Sequence, residues 1–438
     1  MARSTLIKRL AEFAAEGEAS SPETYALYFL NWISAAMSGA HENAADILAE
    51  FMAQEGTGNY QPLGRNENLR PSDCAAIDCF SSAIQAYDDI HFETTTHPCG
   101  PVAAAICAVI RKQETTLKEL LDALCIGMET ECRCARALFS HGSSGWYTTG
   151  MAGVIGAAAA VARLLRFNAK QMENAMALAA STASGNRGTH GSMAGSYIPA
   201  FAAKNGYDAA MMSAYGFTCS SSALDGTNGL IACIDPDADI EKALQSLGTE
   251  FISLKTSCKP YPYGFISYGL ISCFREKREY RDIEEVICTV SKRCAQLGAN
   301  PFPKTMYEGF VSLPYITAKA ILDPESLCIP LSEHLTLSEA ERELISKIRI
   351  EEDQNMNDQS AFVTIRTKNR IDTLSSFQPS GTAEYPMTKE DILHKVRSLN
   401  TVDEVLIKQL EEPETYYNYV VRITDRVSLE KNLRRKKL

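Results

Sequence analysis

Gly150-Met151-Ala152-Gly153-Val154-Ile155-Gly156-Ala157-Ala158-Ala159-Ala160-Val161-Ala162-Arg163-Leu164-Leu165 is the stretch that decides the fold class of this chain. Its one charge is Arg163, near the end, and the rest is apolar or small on every side. That is the pattern of a helix buried among other helices, not of a surface helix with one apolar stripe. It is also too short to cross a bilayer. No strand precedes Gly150-x-x-Gly153-x-x-Gly156, so these glycines read as close helix packing and not as a dinucleotide loop. Asn168 to Ser181, just beyond, is equally rich in alanine, and Asn168-x-x-Gln171 in front of it is a capping box.

Working back towards the N-terminus, the chain stays helical. Thr116-x-x-Glu119 is a second capping box. Ser21-Pro22-Glu23 places an N-cap and a proline at the start of a helix running to Gly39. Leu6, Leu10 and Phe13 form an apolar stripe. Nothing in this region alternates with period two for long enough to predict a sheet. The texture changes after about residue 258. Glu285 to Val290, Lys347 to Ile350 and Phe362 to Arg366 alternate like strands, and Lys368-Asn369-Arg370 turns into a further strand at Ile371 to Leu374. Tyr315 to Leu322 and Ser338 to Ile345 read as helices between them. Thr388-x-x-Asp391 caps a helix through Leu399, and Val402 to Leu410 predicts another that returns to the main body. The reading is mainly α: a large all-α helical domain with a smaller α+β domain attached.

Composition narrows the function. A length of 438 residues predicts two domains. With 45% hydrophobic and 22% charged residues the chain reads as an ordinary soluble globular protein. A net charge of −11 argues against a nucleic-acid partner. The basic cluster Arg434-Arg435-Lys436-Lys437 reads as a solvated tail, and Lys436-Lys437-Leu438 is a weak match to a peroxisomal tripeptide, lacking its small first residue. Arg3, Lys8 and Arg9 are not followed by a signal-peptide core, and no membrane association is expected. The 14 cysteines form no C-x-x-C pair and fit buried thiols in a reducing cytoplasm.

Two segments carry the chemistry. Asp88-Asp89-Ile90-His91, with His97-Pro98 six residues on, gathers two acids and two histidines beside a turn. Such a group handles protons, holds a metal, or simply faces water at a helix end, and no metal-ligand spacing supports the second reading. Lys259-Pro260-Tyr261-Pro262-Tyr263 pins a lysine on a rigid segment where two domains would meet. Gly142-Ser143-Ser144-Gly145 misses the nucleophile elbow and reads as a flexible loop, leading into Tyr147, a candidate acid or base. An isolated tyrosine is more often a packed aromatic with a satisfied hydroxyl.

These segments resemble the MmgE/PrpD family almost end to end. The matching segments are Asp88 to Pro98, Gly145 to Leu165, Ala183-Ser184-Gly185 through Gly191-Ser192-Met193, Tyr215-Gly216-Phe217-Thr218, Leu224-Asp225-Gly226, Lys259-Pro260-Tyr261-Pro262, Ser312-Leu313-Pro314-Tyr315 and Glu384-Tyr385-Pro386-Met387. The resemblance implies a helical domain from residues 1–257 together with 400–438, an α+β lid at 258–399, a homodimer, and no metal or organic cofactor. It implies a carbon-acid enzyme that removes a proton next to a carboxylate of a small organic acid. Lys259, His97, Tyr147 and Asp89 would be catalytic, with Asp89 orienting His97. His91, Asp88, Arg187, Tyr315, Tyr268 and Ser184 would bind substrate.

The departures from the family pattern are specific. Ala86 and Ile90 replace an aspartate and a threonine, Tyr147 a histidine, Gly195 a lysine, Ile198 a histidine, and Phe265 and Tyr268 an arginine and a histidine. A citrate-like trianion needs several cationic or hydrogen-bonding partners when desolvated, so a substrate with fewer carboxylates or with a neutral polar end is expected. A lyase leads, with two-base epimerisation by Tyr147 and Lys259 close behind and a non-catalytic binding protein third.

Overall fold

The computed structural model describes residues 6–143, 145–276 and 279–431. Arg3, Ser144, the basic C-terminal cluster and the terminal Lys436-Lys437-Leu438 lie outside the described residues. The chain divides into two compact units. The first takes in residues up to Ile84, Asp88–Thr256 and Ile392 onward; the second takes in Gln85–Tyr87 and Ser257–Asp391.

The first unit is built around the Thr148–Leu164 helix, whose residues are buried on all sides from Thr148 to Ala162. It packs against the Leu117–Leu138, Ala194–Ala214, Cys99–Ile110 and Ala169–Ala180 helices. The glycine stripe is what lets them approach. A Cβ on Gly156 would lie 2.7 Å from the Gly127 carbonyl oxygen and from Glu131 Cβ, and one on Gly150 would lie 2.3 Å from Ile198 Cγ2. Neither site has room for a side chain. Arg163, the lone charge of the run, reaches out of the apolar core. It bonds Asp122 at 2.7 Å and the carbonyls of Ala15 and Gly17 at 2.6 and 2.9 Å.

Both capping boxes form as expected, at Thr116 and Asn168. Ser21 does not cap: its φ is +50° and its side chain makes no cap hydrogen bond, although the helix does run Pro22–Gly39. The proline sets the start by itself, through its fixed φ and missing N–H. The expectation of an all-α body also needs correction. Thr115–Thr116 pairs antiparallel with Val420–Ile423, which forms a hairpin with Val427–Glu430. Strands of two to four residues are too short to show a period in sequence. No helix among the described residues is long and apolar enough to cross a membrane.

The second unit holds a four-stranded sheet in the order Ile348–Asp353, Ile283–Ser291, Ala361–Thr367, Ile371–Ser376. Its first pair is parallel, with Val286 opposite Ile348, and the other pairs are antiparallel. Val286, Cys288 and Val290 point to the core, as do Ala361, Val363 and Ile365, which is the alternation expected of a sheet with one covered face. The Leu313–Leu322 and Glu339–Ile345 helices belong to this unit and pack together.

Candidate active site

The acids and histidines of the first unit are brought together by a tight turn. Past the Asp89–His91 strand, the His91 N–H donates to the Thr96 carbonyl at 2.8 Å, with Thr95 in the left-handed region at φ +53° between them. The chain therefore doubles back, and His97 returns beside Asp88 and Asp89. His97 Nδ1 lies 2.5 Å from the Asp89 carbonyl oxygen and 3.1 Å from Asp88 Oδ2. Both neighbours are acceptors, so Nδ1 carries the proton and Nε2 keeps its lone pair. The backbone N–H of His97 donates to Thr149 Oγ1 at 3.0 Å, which fixes the turn onto the Thr148–Leu164 helix.

The carboxylate that orients His97 is thus that of Asp88, and not that of Asp89 as the sequence suggested. Asp89 contributes its main-chain carbonyl, while its Oδ2 accepts from the Cys99 N–H at 3.0 Å. That N–H opens the Cys99–Ile110 helix, where the helix dipole favours a carboxylate. Asp88, Asp89 and His97 each offer a ligand atom within 4.8 Å of the others, so this trio is where a cation would sit. Its hydrogen bonding fits proton handling better, because His97 Nδ1 is spent as a donor and Asp89 already caps a helix.

His91 faces elsewhere. Its Nε2 donates to the Ile252 carbonyl at 3.0 Å, which leaves Nδ1 as acceptor for Thr94 Oγ1 at 2.7 Å. Burial pushes its pKa down, and it stands in the core as a neutral imidazole. Both ring nitrogens are occupied by the protein, so His91 supports the turn and does not present a group to a substrate.

Tyr147 immediately precedes the central helix. Its N–H donates to the Gly185 carbonyl at 3.2 Å, next to Ser184, and the Arg187 N–H donates to the Gly145 carbonyl at 2.8 Å. Burial raises the Tyr147 phenol, the Asp88 charge raises it further, and Arg187 lowers it. Asp88, Tyr147 and Arg187 therefore share one electrostatic environment. His190 meets the Tyr147 ring edge-on, with centroids 5.1 Å apart. Sequence reading missed His190, whose only signal was its place in a glycine-rich loop.

It also missed Glu131. This residue of the Leu117–Leu138 helix is fully buried, and neither carboxyl oxygen has a hydrogen-bond partner among the described residues. Burial first, and then the Asp89 charge, push its pKa well above the usual carboxylate range. A signal existed: Glu129, Glu131 and Arg133 follow at i, i+2 spacing, which cannot place all three on one exposed helical face.

In the second unit Lys259 is buried, and its rigid segment is held from two directions. Tyr87, one residue before Asp88, donates to the Pro260 carbonyl at 3.2 Å. Gly381, at φ +83°, packs so closely on Pro260 that a Cβ would lie 2.3 Å from Pro260 Cδ. Tyr268 is fully buried with its ring edge-on to Tyr261, centroids 6.2 Å apart. Tyr315 is buried beneath the Lys319 ammonium, and burial pushes its phenol up to about 12.

Comparison with known proteins bears on both units. The MmgE/PrpD N-terminal domain matches residues 8–243, and the MmgE/PrpD C-terminal domain matches residues 270–412. A cis-aconitate decarboxylase from Aspergillus terreus is 25% identical over 401 residues, covering 82% of this chain and 81% of the relative. A cis-aconitate decarboxylase-like protein, oryM, from Aspergillus oryzae is 27% identical over 216 residues, covering 46% of this chain and 44% of that one.

Proposed function

The chain belongs to the MmgE/PrpD family, and from that premise we propose that it is a metal-independent lyase acting on a small carboxylic acid through a carbanion next to a carboxylate. The observation that carries this reading is the polarised His97. With Nδ1–H held by Asp88 and the Asp89 carbonyl, Nε2 is the basic nitrogen, and the imidazolium formed on taking a proton is stabilised by the Asp88 carboxylate 3.1 Å away.

The elimination then balances simply. The substrate C–H bond breaks, its proton goes to His97 Nε2, and its electrons form the new double bond. The β-hydroxyl leaves with a proton from Tyr147, which burial and Asp88 keep in the phenol form. In a decarboxylation the electrons come from the C–C bond as carbon dioxide departs, and the carbanion is quenched by one of the same acids. Arg187 is the cation proposed to recognise a substrate carboxylate beside Tyr147, and Lys259 is proposed to stabilise the enolate charge. Two-base epimerisation would take the proton on Lys259 and return one from the Tyr147 phenol; the names of the relatives favour a lyase instead. The replacements at Tyr147, Gly195 and Ile198 support a substrate with fewer carboxylates than citrate.

The test is proton NMR in deuterium oxide with hydroxy-, unsaturated and amino mono-, di- and tricarboxylates. Deuterium at an α-carbon with new vinylic or decarboxylated product supports the lyase. Inverted configuration on an unchanged skeleton would replace it with an epimerase, and citrate or methylcitrate as the best substrate would overturn the substrate class. Tyr147→Phe is expected to keep α-deuterium exchange while product formation falls by about 10²-fold or more.

A further inference from the structure

The chain passes between its two units after Ile84, Tyr87, Thr256 and Asp391. On the first unit's side, the residues at the last three of these passages meet one face of one helix. Tyr25, Tyr28 and Asn31 of the Pro22–Gly39 helix follow at i, i+3 and i+6, which aligns them along its length. Tyr25 Oη is 2.8 Å from Ser253 Oγ, and Tyr28 Oη donates to the Thr256 carbonyl at 2.8 Å. Asn31 Nδ2 donates to the Asp88 carbonyl at 3.3 Å, and Asn31 Oδ1 accepts from Lys395 Nζ at 2.7 Å. Asn31 is 1% exposed and Lys395 3% exposed, so neither amide nor ammonium has water to fall back on.

The chemistry of these two side chains fixes a direction. An ammonium only donates, so it must face the oxygen end of the Asn31 amide. The amide nitrogen is thereby turned to the Asp88 carbonyl. Without a donor at Oδ1, the amide is free to flip, and an oxygen then opposes the carbonyl. We propose that Lys395 is a positioning residue: by setting the orientation of Asn31 it holds the main chain at Asp88, and with it the Asp88 carboxylate against His97 Nδ1. This places a residue four positions beyond Asp391, where the chain last passes between the units, in control of the geometry of the candidate base. It rests on the roles of Asp88 and His97 proposed above.

Three variants separate positioning from simple stability. Lys395→Met removes the donor and frees the amide. Asn31→Asp keeps a partner for Lys395, and so keeps the protein folded, but sets a carboxylate oxygen against the Asp88 carbonyl. Lys395→Gln restores a neutral donor with shorter reach. Because misplacement of a catalytic group by about 1 Å costs about 10²-fold in rate, Lys395→Met and Asn31→Asp are each expected to lower kcat about 10- to 100-fold with KM little changed. Lys395→Gln should recover part of the loss. The readout independent of turnover is the Nδ1–H resonance of His97 in protein labelled with ¹⁵N-histidine, assigned by its disappearance in His97→Gln. It should move upfield in Asn31→Asp and Lys395→Met. A folded Asn31→Asp with an unchanged His97 resonance overturns the proposal, as does a loss of kcat confined to Lys395→Met. If no acid in the panel is turned over, the lyase reading fails and the resonance alone decides this one.

Discussion

The turn at Asp88–His97 and the helical segment at Glu129–Arg133 use the same kinds of residue to opposite ends. In the helix, Arg133 Nε is 2.6 Å from Glu129, and its other nitrogens reach the carbonyls of Ala243, Gln245 and Glu250. Glu129 in turn accepts from the N–H groups of Ile252 and Ser253 and from Ser253 Oγ. The charges there are enclosed and answered, which ties the Ile252–Ser253 segment to the helix and leaves no atom for chemistry. In the turn, His97 keeps 19% of its side chain exposed and its Nε2 uncommitted. Burial and charge therefore do not by themselves mark a catalytic group; an uncommitted basic nitrogen on a part-exposed side chain is what distinguishes His97.

The largest expected effect is at the turn. His97→Gln should lower kcat by about 10²- to 10⁴-fold while thermal unfolding stays close to the parent. A large loss of stability with turnover intact would place His97 with the scaffold. Next in size, Arg133→Met strands Glu129 without its buried partner and should cost about 3–5 kcal/mol in urea unfolding. The folded fraction should turn over normally, and a specific loss of kcat would erase the distinction.

Glu131 lies between the two cases, buried like Glu129 but lacking its partners, and its signature is pH. In the unfolded chain its carboxyl ionises in the ordinary range; in the fold, burial and Asp89 hold it protonated far above that. Between those limits the folded state binds more protons, so stability falls as pH rises, by up to about 1.4 kcal/mol per pH unit. Glu131→Gln removes that slope, so its advantage over the parent should grow from pH 5 to pH 8 in unfolding titrations. A pH-independent difference would mean that Glu131 is ionised. The smallest expected effect concerns the trio at the turn: treatment with a chelator should leave turnover within about twofold of the untreated protein, because His97 Nδ1 and Asp89 Oδ2 are already engaged in hydrogen bonds. Loss on chelation with recovery on adding a divalent cation would make Asp88, Asp89 and His97 a metal centre.

Much of the architecture was legible because it is encoded locally. The apolar run at Gly150–Leu165 has no polar side to offer water, so burial was forced. The boxes at Thr116 and Asn168 satisfy their own helix ends, and the alternation at Glu285–Val290 and Phe362–Arg366 has the period of a strand. The hairpin Val420–Ile423/Val427–Glu430 was not legible, since its register depends on pairing with Thr115–Thr116 about three hundred residues away.

The site divides the same way. That acids and histidines crowd Asp88–His97 and that prolines fix Lys259 is set between chain neighbours, through composition and backbone restriction. Which atoms these residues meet is set by packing. His91 lost both nitrogens to Thr94 and Ile252, Asp88 rather than Asp89 met His97, and Glu131, Asn31 and Lys395 arrived from distant helices. Hydrogen bonds and desolvation depend on which atoms end up within about 3 Å of one another, and that is a property of the packed chain.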